Sequence, residues 1–223
     1  MAVDLEGDLA GRYPHIALMQ VCVDAVEEGE EQLAYVFDVH RNRRILNARG
    51  ATSIASLLED GSIPKALHGC SGDASSLYYG HGIKLNHFLD TGLADLLLRR
   101  YQPGSMRNLE ALLKSKLGEK VQMTHKGSFE FTPGLFESRP LSELLFTYAY
   151  EDVTLLNELY RRLLGELRED RLEELAFTLS QQRSPANRLA VGHVASLLPA
   201  TKVAIALMDS KSVTSLQGKA GAC

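Results

Sequence analysis

Val3-Asp4-Leu5-Glu6-Gly7, followed after a short gap by His15-Ile16-Ala17-Leu18-Met19-Gln20-Val21-Cys22-Val23, decides how this chain is read. Both stretches alternate or run apolar over strand lengths, and residues 33–39 repeat the pattern, so three early strands are predicted. Side chains two apart on a strand share a face. Asp4 and Glu6 therefore point one way, while Val3 and Leu5 point into packing. Two further acids stand in recognisable contexts. Asp73 lies in HGCSGDASSL, residues 68–77, and Asp152 in YAYEDVTLL, residues 148–156. The latter stretch has helical spacing with Leu144, Leu145, Val153, Leu155, Leu156 and Leu159. Tyr148, one turn before Asp152, shares its helix face. Tyr150 falls on roughly the opposite side and reads as a packing residue.

No piece is specific alone, since Asp-x-Glu and Tyr-x-x-x-Asp recur by chance in many proteins. Their order, separations and flanks carry the signal together. Carboxylates gathered without basic partners repel and raise one another's pKa. Divalent cations resolve that conflict, and hard ions such as Mg²⁺ or Mn²⁺ prefer oxygen ligands. Two such ions about 4 Å apart can stabilise both the attacking and the leaving oxygen in phosphodiester cleavage.

Taken together, these segments resemble the DEDD superfamily of 3′–5′ exonucleases, in its tyrosine-type branch, with a ribonuclease D-like and Egalitarian-like flavour. The opening Val3-Asp4-Leu5-Glu6-Gly7 followed by Ile16-Ala17-Leu18-Met19-Gln20-Val21 is similar to the family's first motif. His68, Asp73 and Leu77, with Ile83-Lys84-Leu85 and Asp90-Thr91 downstream, resemble the second, and Arg139-Pro140-Leu141 leads into the third. A histidine-type member would carry histidine where this chain has Thr147, and Tyr148 fills the tyrosine position. The likeness spans about residues 3–165.

The resemblance implies an α/β ribonuclease H-like fold: a mixed five-stranded central sheet flanked by helices, its acids gathered at one sheet edge. It implies two Mg²⁺ or Mn²⁺ ions. Asp4, Glu6 and Asp152 would hold the more buried one, Asp4 would bridge to the second, and Asp73 would support that second ion. Tyr148, with Glu6, would orient the attacking water. The implied reaction hydrolyses the terminal phosphodiester of single-stranded 3′ ends, RNA favoured over DNA, releasing nucleoside 5′-monophosphates. The alternative is a nuclease-like RNA-binding or scaffold protein with a weak or inactive site. Only Met1, Ala2 and Val3 precede Asp4, so a central strand shortened at its N-terminal end is expected.

Composition sets bounds. At 223 residues and 45% hydrophobic content the chain can bury a substantial core. A net charge of −4 argues against a basic module that wraps nucleic acid, yet the four site acids account for all of it. No apolar run is long enough for a transmembrane helix, and the acidic start lacks signal-peptide character, so no membrane partner is expected. Cys22, Cys70 and Cys223 have no metal-type spacing, which fits a reducing cytosol or nucleus.

An exonuclease domain over residues 1–182 is expected, followed by an extension over 183–223, helical near 185–198 and then a disordered tail. Between the early strands and the third motif the pattern predicts helices near 52–60, 73–80 and 91–101. It also predicts strands near 65–68 and 85–89, a helix on the stripe Leu109, Leu112, Leu113 and Leu117, and an irregular exposed loop over 118–138. Long loops of this kind are often functional. Five further residues are candidates for substrate contact. Arg12 could meet a phosphate and Tyr13 a base. Met19 could wedge against the terminal base. His68 and Arg139 are candidates too, although a hydrogen-bonded structural histidine and a helix-anchoring ion pair are the preferred readings. His15, His40, His81, His87, His125 and His193 show no ligand spacing, and no Cys/His zinc set is expected.

Overall fold

Strand alternation organises the centre of the molecule. In the computed structural model, β1 (Ala2–Asp8) pairs antiparallel with β2 (His15–Val23), placing Asp4 opposite Gln20, Leu5 opposite Met19 and Glu6 opposite Leu18. β2 pairs antiparallel with β3 (Leu33–Asp38). On the other side, β4 (Lys65–Leu67) runs parallel to β1, and β5 (Phe88–Asp90) parallel to β4. The order β3-β2-β1-β4-β5 is the expected mixed five-stranded sheet, with β1 at its middle. Residues 1–9, 14–24, 32–99, 106–118, 121, 123 and 129–187 are described. Arg12, Tyr13, the charged turn near residue 28 and everything beyond Asn187 lie outside them.

Eight helices are described: α1 (Arg44–Asn47), α2 (Ile54–Glu59), α3 (Ser71–His81), α4 (Thr91–Leu98), α5 (Leu109–Leu117), α6 (Glu143–Thr154), α7 (Leu156–Glu169) and α8 (Glu173–Gln181). Ser53, Asn108 and Ser142 each accept a hydrogen bond from a first-turn backbone N–H, fixing where α2, α5 and α6 begin. The last expected strand is shorter than the apolar run 85–89 suggests. His87 sits at φ 48°, which breaks the extended backbone, and Ile83 and Leu85 are buried as a connector instead.

The pleat divides the core. Val3, Leu5, Met19 and Val21 pack on one face with Leu58, Leu77 and Ile83. Leu18 turns to the other face and meets Phe136, Leu145, Tyr148 and Ala149. Each fully buried aliphatic or aromatic side chain contributes about 1.5–3 kcal/mol. This parity corrects one expectation. Met19 is fully buried opposite Leu5, on the side away from Glu6, so it cannot wedge against a nucleotide. Lys65 breaks the usual pattern: it is fully buried, and its ammonium donates to the Asp60 carbonyl oxygen.

One backbone feature aims the site. The β1–β2 register slips between Glu6 and Gly7, and Gly7 holds φ 146°. A Cβ there would lie 2.2 Å from the His15 carbonyl oxygen and 2.8 Å from the Ala17 nitrogen. Bulges bend a strand and re-aim its side chains. Gly7→Ala should therefore cost about 2–4 kcal/mol from overpacking and backbone strain, and tilt Glu6. Urea unfolding checks the first effect; stability within 0.5 kcal/mol of wild type would contradict it.

Candidate active site

Asp4 and Glu6 enter from the middle strand, and α6 crosses that face of the sheet carrying Asp152. Each of the three offers a carboxylate oxygen, and these oxygens lie within 4.8 Å of one another. Glu6 and Asp152 are buried. The acids thus gather on the face of the central strand, under α6, rather than along an outer strand. That follows from β1 having neighbours on both sides.

Tyr148 stands one turn before Asp152, is buried, and donates its hydroxyl to the Asp152 carboxylate. Burial, with Asp152, Glu6 and Asp4 nearby, pushes the phenol pKa well above its ordinary value. The group is therefore a neutral hydroxyl, suited to hold and orient a water and unsuited to act as a phenolate. Tyr150 faces outward as the helical spacing requires, but it is 40% exposed and stacks on Phe146 at 6.4 Å, so it packs only at the surface.

Asp73 reaches the same strand by a different route. It lies buried in the first turn of α3 and accepts hydrogen bonds from its own backbone N–H and from that of Leu5. β4 ends at Leu67, so the Leu5 N–H lies past the short parallel ladder and Asp73 takes the place of a strand partner. Burial raises its pKa to about 7, with the Asp90 charge adding to the rise. Asp73 is not among the three tightly clustered acids, but it is one strand residue from both Asp4 and Glu6.

Asp90 is the residue that sequence reading undervalued. Fully buried, it caps α4 by accepting from the Gly92 and Leu93 N–H groups at 3.0 and 3.3 Å. It also accepts from Gly69 and Cys70 at 3.0 and 3.2 Å, fixing the turn that leads to Asp73. The Arg183 Nε lies 3.3 Å from it. Its aspartate-threonine context at a strand end signals a cap, but its partners come from three separate segments. Asp90→Ala should destabilise the fold by about 3–5 kcal/mol, because it strands a partly buried guanidinium and four donors. An unfolding midpoint unchanged in urea would refute that.

Gln20, opposite Asp4 on the same face, is fully buried, and neither its amide oxygen nor its nitrogen has a hydrogen-bond partner among the described residues. Such groups are costly and recur beside functional sites.

The loop expected over 118–138 is not simply exposed. Met123 is buried, and a 3-10 turn at Leu135–Glu137 buries Phe136. Phe129, Phe131 and Phe136 set their rings 5.1, 5.9 and 6.2 Å from that of Tyr148. Apolar packing against Leu18 and Tyr148 draws the segment inward. Phe131 stays 65% exposed at the mouth of a cleft of about 460 Å³, which Gly7, Asp8, Leu9, Pro133 and Phe136 also line.

Two substrate candidates have hydrogen-bond partners within the fold. The His68 ring bonds Thr91 Oγ1 at 2.9 Å through Nδ1 and the Arg107 carbonyl at 3.1 Å through Nε2. Arg139 grips Asp38 with two bonds of 2.6 and 2.7 Å and also donates to the Phe136 and Ser138 carbonyls. One grouping has no signal in the sequence spacing. His15, His40 and Glu137, far apart in sequence, place one ligand atom each within 4.8 Å of the others. No described helix is long and apolar enough to cross a membrane.

Known proteins share this fold. A family model described as 3′-5′ exonuclease matches residues 1–168. No curated protein matches the sequence. Among solved structures, RNase D from Escherichia coli superposes with a TM-score of 0.62 at 20% identity, over 85% of this chain and 45% of that one. NrnC from Brucella melitensis gives 0.60 at 21% identity, over 82% of this chain and 81% of that one. The catalytic core of RRP6 from Trypanosoma brucei gives 0.59 at 20% identity, over 82% and 45%. The chain thus spans less than half the length of the RNase D and RRP6 chains. At these identities the structures speak for the fold, while the family model speaks for the chemistry. With the carboxylates of three motifs brought to one strand, the chain belongs to the DEDD family of metal-dependent 3′–5′ exonucleases.

Proposed function

We propose that this exonuclease trims unpaired 3′ ends of RNA in preference to DNA, with two Mg²⁺ or Mn²⁺ ions, and releases nucleoside 5′-monophosphates. The observation that carries the proposal is the convergence of Asp4, Glu6 and Asp152 within 4.8 Å, with the Tyr148 hydroxyl on Asp152. This all-oxygen donor set, half-buried at Asp4 and buried at Glu6 and Asp152, and of one sign, fits a hard divalent cation. Asp4, Glu6 and Asp152 would hold one ion, and Asp4 with Asp73 the other. Bound there, the ions would neutralise the carboxylates and stabilise charge on the phosphate as its bond breaks.

The chain's own groups do the rest. Tyr148 holds the attacking water through its neutral hydroxyl, with Glu6 as the second acceptor. Water adds to the terminal phosphorus, the preceding 3′-oxygen leaves and takes up a proton, and a 5′-monophosphate results. The cleft beside Gly7 has room for one nucleotide, and exposed Phe131 offers a ring on which a base can stack. An unpaired end is required because the last base must leave its partner to enter. The RNA preference draws on relatives: NrnC has been solved bound to pGG, and an RNase D from Trypanosoma brucei with RNA U12.

Digestion of 5′-labelled single-stranded RNA and DNA in Mg²⁺ and in Mn²⁺ tests this. A ladder shortening from the 3′ end, faster on RNA, is expected. Equal rates on both polymers would remove the RNA preference, and inertness on both would remove the proposal.

A further inference from the structure

Among the described residues, one group of metal-ligand side chains lies outside the catalytic carboxylates: His15, His40 and Glu137. His15 Nδ1 is 2.7 Å from Glu137 Oε1, and His40 Nδ1 is 4.0 Å from Glu137 Oε2. The two imidazoles meet edge to face with centroids 5.5 Å apart. We propose that these three side chains form a second, non-catalytic metal site that takes a Zn²⁺-type ion in preference to Mg²⁺.

The second observation is His40 Nδ1 itself. This atom is buried and makes no hydrogen bond within the described residues. An unsatisfied buried ring nitrogen is destabilising, and a cation satisfies it. Its 4.0 Å separation from Glu137 Oε2 is too long for a hydrogen bond. It is short enough for both atoms to reach one ion at about 2.0–2.2 Å each. Two imidazoles and one carboxylate are a zinc-type set, whereas Mg²⁺ prefers oxygens alone. Three protein ligands leave one position for water.

The fold holds the three residues in place without an ion. His15 opens β2 opposite Asp8, and the His40 N–H donates to the Ala17 carbonyl at 2.9 Å. Glu137 ends the 3-10 turn, which the Arg139–Asp38 pair fastens to the end of β3. One rearrangement is required. Arg43 Nη2 lies 3.2 Å from His15 Nε2, which makes that nitrogen an acceptor and leaves the proton on Nδ1. Ligation through Nδ1 shifts the proton to Nε2, so the exposed Arg43 must turn away. Once bound, the ion ties the Phe136-bearing turn to β2, and the Phe136 ring packs against Tyr148. The site would thereby brace one wall of the active site without touching substrate.

Zn²⁺ titration of the full chain, by calorimetry and by dialysis with metal analysis, tests the proposal. Excess Mg²⁺ is present throughout to occupy the acidic cluster. Wild type and Asp4→Asn should each retain about one Zn²⁺, and Glu137→Gln and His40→Gln should bind about tenfold more weakly or worse. Zn²⁺ should raise the melting temperature of wild type and not of the two variants. Should either variant fail to fold, Co²⁺ added to wild type in excess Mg²⁺ gives the answer, because strong visible bands mark a four-coordinate site with nitrogen ligands. Absence of those bands, absence of Zn²⁺ binding in wild type, or unchanged affinity in folded Glu137→Gln and His40→Gln would overturn the proposal. None of these readouts depends on nuclease activity, so this site and the proposed function fail separately.

Discussion

Asp4→Asn should leave no measurable trimming of a 3′ end while the fold survives. The substitution keeps the side chain's shape and removes its charge, and the neighbours Val3 and Leu5 stay buried. Asp4 is the carboxylate shared between both proposed ion positions, so the variant disables the pair rather than one. Losing a single positioned group typically costs about 10²–10³ in rate, and losing both ions exceeds that. Calorimetry with Mn²⁺ should show binding lost. Without metal the variant should melt no lower than wild type, because three converging carboxylates repel and the change removes one of them. Residual turnover within tenfold of wild type would show that Asp4 is not a bridging ligand.

Tyr148→Phe should have the next largest effect, a loss of about 10²–10³ in kcat with metal affinity retained. Phenylalanine fits the same space, since the ring already packs among Phe129 and Phe136 at 5.1 and 6.2 Å. Only the hydroxyl that bonds Asp152 disappears. Binding of Mn²⁺ should therefore stay within a few-fold while the chemical step slows. Tyr150→Phe is the control on the other helix side, where the ring is 40% exposed and leans on Phe146. It should change rate and stability little. If Tyr150→Phe proved as slow as Tyr148→Phe with folding intact, the motif assignment and the helix-face argument would both be wrong.

Local periodicity explains what could be read in advance. Alternation in Val3-Asp4-Leu5-Glu6 set the two acids on one face, and the apolar run after it paired as β2. A four-residue step on α6 put Tyr148 beside Asp152, and their hydrogen bond is the direct consequence. These features depend on neighbours a few residues away, so sequence carries them. The apolar run around Leu85 misled, because burial without extended backbone leaves the same imprint as a strand.

By itself, then, the sequence determined the central strand, its two acids, the tyrosine-aspartate helix face and the family they indicate. Only the tertiary structure decided which long-range partners each residue meets. Asp73 bonds the Leu5 N–H because β4 stops short. Asp90 gathers Gly69, Cys70 and Arg183 from segments that no spacing rule connects. Phe136 is drawn onto Tyr148 because the face of β2 carrying Leu18 needs cover. His15, His40 and Glu137 meet because the 3-10 turn lands beside the start of β2. Each of these contacts depends on where chain packing brings distant side chains in space, and a linear pattern does not record that distance.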